Sequence, residues 1–104
     1  MQIQVNTDHN IPGHEQLVTE VESSVQNSLQ RFGKQITRVE VHLTDENGNK
    51  GGADDKRCVL EARIEGHQPV VVSHQAETLK QAYTGASTKL KSALTSTLEK
   101  LRTY

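Results

Sequence analysis

The chain has 104 residues, 33% of them hydrophobic and 24% charged, which is the size of one domain built on one core. A formal net charge of −1 and 24 Leu, Ile, Val and Phe residues put it on the folded side of the disorder boundary, and a single cysteine excludes an internal disulfide or a multi-cysteine zinc site. No apolar run approaches the ~20 residues of a membrane span, Met1 to Val5 lacks the basic start and apolar stretch of a signal peptide, and one Phe, two Tyr and no Trp leave almost no stacking platform for single-stranded bases.

The chain therefore reads as a soluble, cytoplasmic, single-domain protein over 1–104. Gln2 to Asn6 alternates polar and apolar, with Ile3 and Val5 on one face, and predicts a half-buried strand. Ile11-Pro12-Gly13 breaks it. From His14 to Phe32, Leu17, Val21, Val25, Leu29 and Phe32 recur at three- and four-residue steps, which predicts an amphipathic helix with Glu15, Glu20 and Glu22 toward its positive end. Gly33 follows where a left-handed C-terminal cap is expected. Ile36 to Thr44 predicts a second strand with Thr37, Val39, Val41 and Leu43 on one face and Arg38, Glu40 and His42 on the other.

Asp45 to Asp55 carries Asn47-Gly48 and Gly51-Gly52 between two alternating runs and reads as a long, mobile hairpin connection. Lys56 to Glu65 predicts a third strand, with Cys58, Leu60, Ala62 and Ile64 inward and Arg57, Val59, Glu61, Arg63 and Glu65 outward. Gly66-His67-Gln68 turns the chain into a short strand from Pro69 to His74, whose Val70-Val71-Val72 run does not reveal its buried face. The last 25 or so residues predict one helix, with an apolar stripe of Leu79, Ala82, Tyr83, Ala86, Leu90, Ala93, Leu94 and Leu101. The order is βαβββα: an α/β (α+β) two-layer sandwich, with a four-stranded mixed sheet carrying both helices on one face.

The residue types that carry catalysis fail on spacing. His9, His14, His42, His67 and His74 form no metal-binding pair and none lies near Cys58 in sequence, so they read as surface or turn residues. Cys58, at an inward strand position, reads as a small buried hydrophobe. Asp45, Asn47 and Asn49 match the start of a calcium loop, but Lys50 stands where Gly is needed and Lys56 where a bidentate Glu is needed, so no calcium is expected. Gly85 reads as a close-packing position. No metal, cofactor, catalytic residue or small-molecule substrate is expected.

Charge says more. Between Leu79 and Tyr104, Lys80, Lys89, Lys91, Lys100 and Arg102 stand against Glu99 alone, a net +4 that leaves −5 on the rest of the chain. On a helical wheel Lys80, Lys91 and Arg102 fall on one flank of the apolar stripe and Lys89 and Lys100 on the other. Two basic rails thus border one buried seam, and Arg31 and Lys34 add charge at the end of the first helix. These seven residues are the candidate RNA-binding set, since each phosphate they neutralise releases a counterion. Lysines that merely solvate a helix flank are the plainer alternative.

The order of elements, with Ile36-Thr-Arg-Val-Glu-Val-His-Leu43, Cys58-Val-Leu-Glu-Ala-Arg-Ile64 and Thr88-Lys-Leu-Lys-Ser-Ala-Leu94, resembles the bacterial ribosome hibernation-promoting factor family. The family is also called ribosome-associated inhibitor or sigma-54 modulation proteins. The resemblance covers about residues 1–102 and rests on the order and spacing of all the parts. It implies a fold similar to a double-stranded-RNA-binding domain. It also implies a non-enzymatic regulator that binds the small ribosomal subunit and its rRNA and inhibits translation in resting or stressed cells. Lys89 matches the lysine of the family's Asp-Lys-Leu-x-Arg-Gln-Leu stretch, whereas Thr88 and Ser92 stand at its aspartate and arginine. Thr95, Ser96 and Thr97 replace the lysines usual beyond it, and Ser24 and Asn27 replace lysines of the first helix. The chain is expected to resemble the short type without a C-terminal dimerisation domain. The alternative is a protein-interaction module on the same fold that has lost most of its RNA surface and meets a protein partner through the exposed sheet face.

Overall fold

The computed structural model describes residues 1–8, 11, 14–46 and 55–102. Its elements are β1 (Gln2–Thr7), α1 (His14–Leu29), a short 3-10 turn (Gln30–Phe32), β2 (Ile36–Asp45), β3 (Lys56–Ile64), β4 (Val70–Ala76) and α2 (Leu79–Arg102). The strands form one mixed sheet in the order β1-β2-β3-β4, with β1 parallel to β2 and the other pairs antiparallel. The parallel pair follows from α1, which carries the chain from β1 back to the same end of the sheet. Both helices pack on one face and touch each other, giving the two layers.

Alternation in β2 and β3 decides which face is covered. Val39, Val41 and Leu43 interleave with Cys58, Leu60, Ala62 and Ile64 under Val21, Val25 and Leu29 of α1 and Ala82, Tyr83, Ala86, Leu90 and Leu94 of α2, all buried. A one-residue slip in register would bury Arg38, Glu40, Glu61 and Arg63 instead, at several kcal/mol for each unpaired charge. In β4, Val70 and Val72 are half-buried and Val71 is exposed, which settles the face of the valine run. Ile11 is buried in the core, although the stretch around it reads in sequence only as a break.

Three expectations are corrected. Gly33 is right-handed, at φ −57°, because a 3-10 turn over Gln30–Phe32 ends the helix and the Gly33 N–H donates to the Gln30 carbonyl; no left-handed cap forms. Thr37 is exposed and Ile36 faces the core, since the β2/β3 register shifts between Ile36 and Arg38 and moves the inward position back one residue. The fourth strand starts at Val70 and runs on to Ala76, whose side chain closes the end of the core. The Pro12-Gly13 break and the Asn- and Gly-rich connection over 47–54, with its calcium question, lie outside the described residues.

At the neck of that connection the Glu46 N–H donates to the Asp55 carbonyl and the Asp45 N–H to Asp8 Oδ2. Lys56 Nζ lies 2.8 Å from Asp55 Oδ1 and 3.4 Å from Asp45 Oδ1. The hydrogen bond it donates to Asp55 raises the Lys56 ammonium above its usual pKa, desolvation opposes the shift, and Asp45 adds to it.

Candidate nucleic-acid interface

α2 presents a different neighbour to each of its flanks, and this separates the two basic rails. The Lys91 flank faces α1. There Lys91 and Arg31 line one groove with Asn27, Ser28 and Gln30, so that two cations and two side-chain amides converge between the helices. Arg31 is held in place: its guanidinium stacks over the Phe32 ring at 4.6 Å, and Nη2 donates to Thr95 Oγ1 at 2.7 Å. Thr95 Oγ1 in turn donates to the Lys91 carbonyl one helical turn back. A planar, pre-positioned guanidinium beside a flexible ammonium suits a phosphate, to which the fork donates in pairs and the ammonium acts as a point charge. Lys80, on the same flank, is exposed near the start of α2, and Lys34 is exposed just past the 3-10 turn. Arg102 ends α2, and its side chain lies outside the described residues.

The other flank faces the free edge of the sheet. Lys89 Nζ donates to the Ser73 carbonyl of β4 at 3.0 Å, and Lys100 is exposed three turns further along. The six candidates with described side chains therefore do not form one surface. Arg31 and Lys91 meet, and Lys89 lies on the far side of α2 from them.

The outer face of the sheet neutralises itself. Glu40 lies 3.1 Å from Arg63 and 3.8 Å from Arg38, Glu61 lies 3.1 Å from Arg63, and Arg38 also donates to Gln4 Oε1. His42 is 3.8 Å from Glu40. Arg57 lies 3.9 Å from Glu46, so each of the three arginines on this face has a glutamate beside it and none is left to draw an anion.

Other candidates resolve into packing. Burial pushes the Cys58 thiol up to about 12, so it carries no thiolate at neutral pH. The His74 ring lies against Gly85, where a Cβ would overlap its Cδ2 and Nε2; the close-packing reading of that glycine holds. His67 Nδ1 lies 2.8 Å from the Gln68 carbonyl. Among the described residues no three His, Cys, Asp or Glu side chains converge on a metal position, and no helix is long and apolar enough to cross a membrane.

In the sequence Asn27 and Thr95 stand out only as positions without lysine, and Ser28 and Gln30 do not stand out at all. Gln30 and Arg31 follow Asn27 by three and four residues, which sets them on one side where α1 passes into the 3-10 turn. That spacing was the available signal.

The family model described as sigma 54 modulation protein / S30EA ribosomal protein matches residues 3–102. Among solved structures, a ribosomal subunit interface protein from Coxiella burnetii superposes with a TM-score of 0.78 at 12% identity, over 95% of this chain and 99% of that one. The N-terminal domain of Protein Y from Thermus thermophilus superposes with a TM-score of 0.69 at 18% identity, over 89% of this chain and 94% of that one. No curated protein matches the sequence. At these identities the structural likeness concerns the fold.

Proposed function

The chain belongs to the sigma 54 modulation protein / S30EA ribosomal protein family, and from that premise we propose that it binds the small ribosomal subunit through rRNA phosphates and inhibits translation in resting or stressed bacterial cells. The observation that carries this reading is the groove between the helices, where Arg31, fixed by Phe32 and Thr95, stands beside Lys91. Lys80, exposed on the same helical flank as Lys91, and Lys34, exposed beyond the 3-10 turn, add positive charge to the helical layer; Lys89 and Lys100 belong to the opposite flank and supply longer-range attraction. Binding of this kind needs no nucleophile and makes no bond, and it belongs in the cytoplasm, where the ribosomes are.

A second reading, a protein-interaction module on this fold, is favoured by α1. Its exposed Glu15 and Glu20 and half-buried Glu22 stand on a helix that carries no Lys or Arg before Arg31. Co-sedimentation with purified small subunits separates the two. The ribosomal reading expects the protein to pellet with subunits in low salt, to be released in high salt, and to slow translation in a cell-free system at stoichiometric amounts. Absence from the subunit fraction in low salt would overturn it in favour of the interaction module.

A further inference from the structure

Among the described residues no strand pairs with the outer edge of β4, and the orientation of its backbone follows from a bond at the neck of the β2–β3 connection. The Glu46 N–H donates to the Asp55 carbonyl at 2.9 Å, which makes these residues a hydrogen-bonded antiparallel pair. Such pairs alternate along a ladder, so His42 and Val59, opposite each other four residues on, are hydrogen-bonded too, and the Val59 backbone is committed to β2. Ser73, opposite Val59 in β4, therefore turns its N–H and carbonyl away from β3, and Val71 and Gln75 do the same. Lys89 provides independent support, since the Ser73 carbonyl accepts its ammonium from outside the sheet.

This edge lacks most of the features that blunt an open strand. Val70–Ala76 contains no Asp, Glu, Lys, Arg or Pro, it pairs with β3 without a bulge, and Val71, its second residue, is 55% exposed. Its guard is Lys89, an exposed side chain that occupies the middle acceptor. We propose that the β4 edge takes an extended acidic peptide of a partner protein as a fifth strand, with the Lys89 ammonium leaving the Ser73 carbonyl to pair with the peptide's carboxylates.

The backbone groups of Val71, Ser73 and Gln75 supply the alternating donors and acceptors that strand addition uses. Charge chooses among occupants. A second copy pairing on a two-fold axis at Ser73 would bring two Lys89 ammoniums together, and like charges so placed repel. RNA has no ladder of N–H and carbonyl groups to offer. An acidic strand meets both the ladder and the charge.

Amide exchange on the isotopically labelled full chain tests this. The probe is a blocked seven-residue peptide of alternating Glu and Val, compared with a Lys-Val peptide, a Ser-Val peptide and an RNA oligonucleotide. At saturation the acidic peptide is expected to slow exchange at Val71, Ser73 and Gln75 by about tenfold or more. N-methylation of its alternate amides should abolish the effect, because the charge remains and the ladder does not. Val71→Pro removes a donor that faces the open edge and spares the β3 ladder, so it should abolish protection with the spectrum otherwise kept. Lys89→Gln should weaken the acidic peptide about two- to fivefold and leave the Ser-Val peptide unchanged. Four results would overturn the proposal: no protection by the acidic peptide, equal protection by the Lys-Val peptide, protection by RNA, or protection that rises with protein concentration alone, which would assign the edge to a second copy.

Discussion

Cys58 shows how one buried position sets a pH limit on the molecule. Its side chain is 0% exposed between β2 and β4, and burial lifts its pKa from 9.0 to about 12, so the folded chain keeps a proton that the unfolded chain releases. The unfolded state then binds fewer protons, and stability is present below about pH 9 and lost as pH rises toward 12, by up to about 1.4 kcal/mol per pH unit. Tyr83, raised first by desolvation and then by the Glu20 charge, adds loss of the same sign. We expect urea unfolding of the native chain to fall more steeply above about pH 9 than that of Cys58→Ala, whose cavity cost does not depend on pH. Equal slopes would show that the thiol ionises in the folded state. The inward place of Cys58 was legible because alternation alone fixes it. Thr37 was misread because alternation counts positions and cannot register a shift; Ile and Thr both suit a strand, and only pairing with β3 shows which one faces the core.

At the scale of elements, the α2 stripe from Leu79 to Leu94 was legible from its period, Leu98 joins it unforeseen, the side chain of Leu101 lies outside the described residues, and the neighbours of the stripe were not legible. Ser87 is buried within the stripe because its hydroxyl donates to the Tyr83 carbonyl at 2.8 Å, so a residue that hydropathy excludes sits there with its hydrogen bond made. The wheel also separated two lysine flanks without saying which would meet α1 and which the edge of β4, since that depends on how the helix is turned on the sheet. Gly85 marks the point of closest approach, and its chemistry yields a sharp expectation. Alanine there should gain about 1 kcal/mol of helix propensity but force its Cβ into the His74 ring, for a net loss of roughly 1–2 kcal/mol. In a His74→Ala background the clash is gone, and Gly85→Ala should stabilise by about 0.5–1 kcal/mol. The sign reversal, read from denaturation midpoints of the four proteins, checks the packing; a loss of equal size in both backgrounds would place the constraint elsewhere.

Across the whole molecule, a net charge of −1 conceals a division of labour between the two faces of one sheet. The outer face closes its arginines and glutamates into pairs, while the helical face keeps Arg31 and Lys91 in a common groove and sends Lys89 to the opposite edge. The basic segment was legible from composition, but the pairing of Arg31 with Lys91 joins residues 60 apart in the chain and emerges only when the helices lie side by side. If that groove tracks phosphates, binding to small subunits should weaken with salt along a log–log slope of roughly −2 to −4 for three to five contacts. Arg31→Gln combined with Lys91→Gln should flatten the slope by about 1.4–1.8, while costing about 1 kcal/mol of stability, since both side chains are exposed and Arg31 gives up its stack on Phe32 and its bond to Thr95. Glu40→Gln with Glu61→Gln makes the opposing comparison, since it releases Arg38 and Arg63 from their partners and turns the outer face positive. A protein that meets RNA through its helices should gain less than about twofold in affinity from that change, because the added charge lies across the sheet from the groove and is screened over a Debye length of about 8–10 Å. An unchanged slope in the groove variant, or a steeper one in the sheet-face variant, would move the RNA to the other side of the molecule.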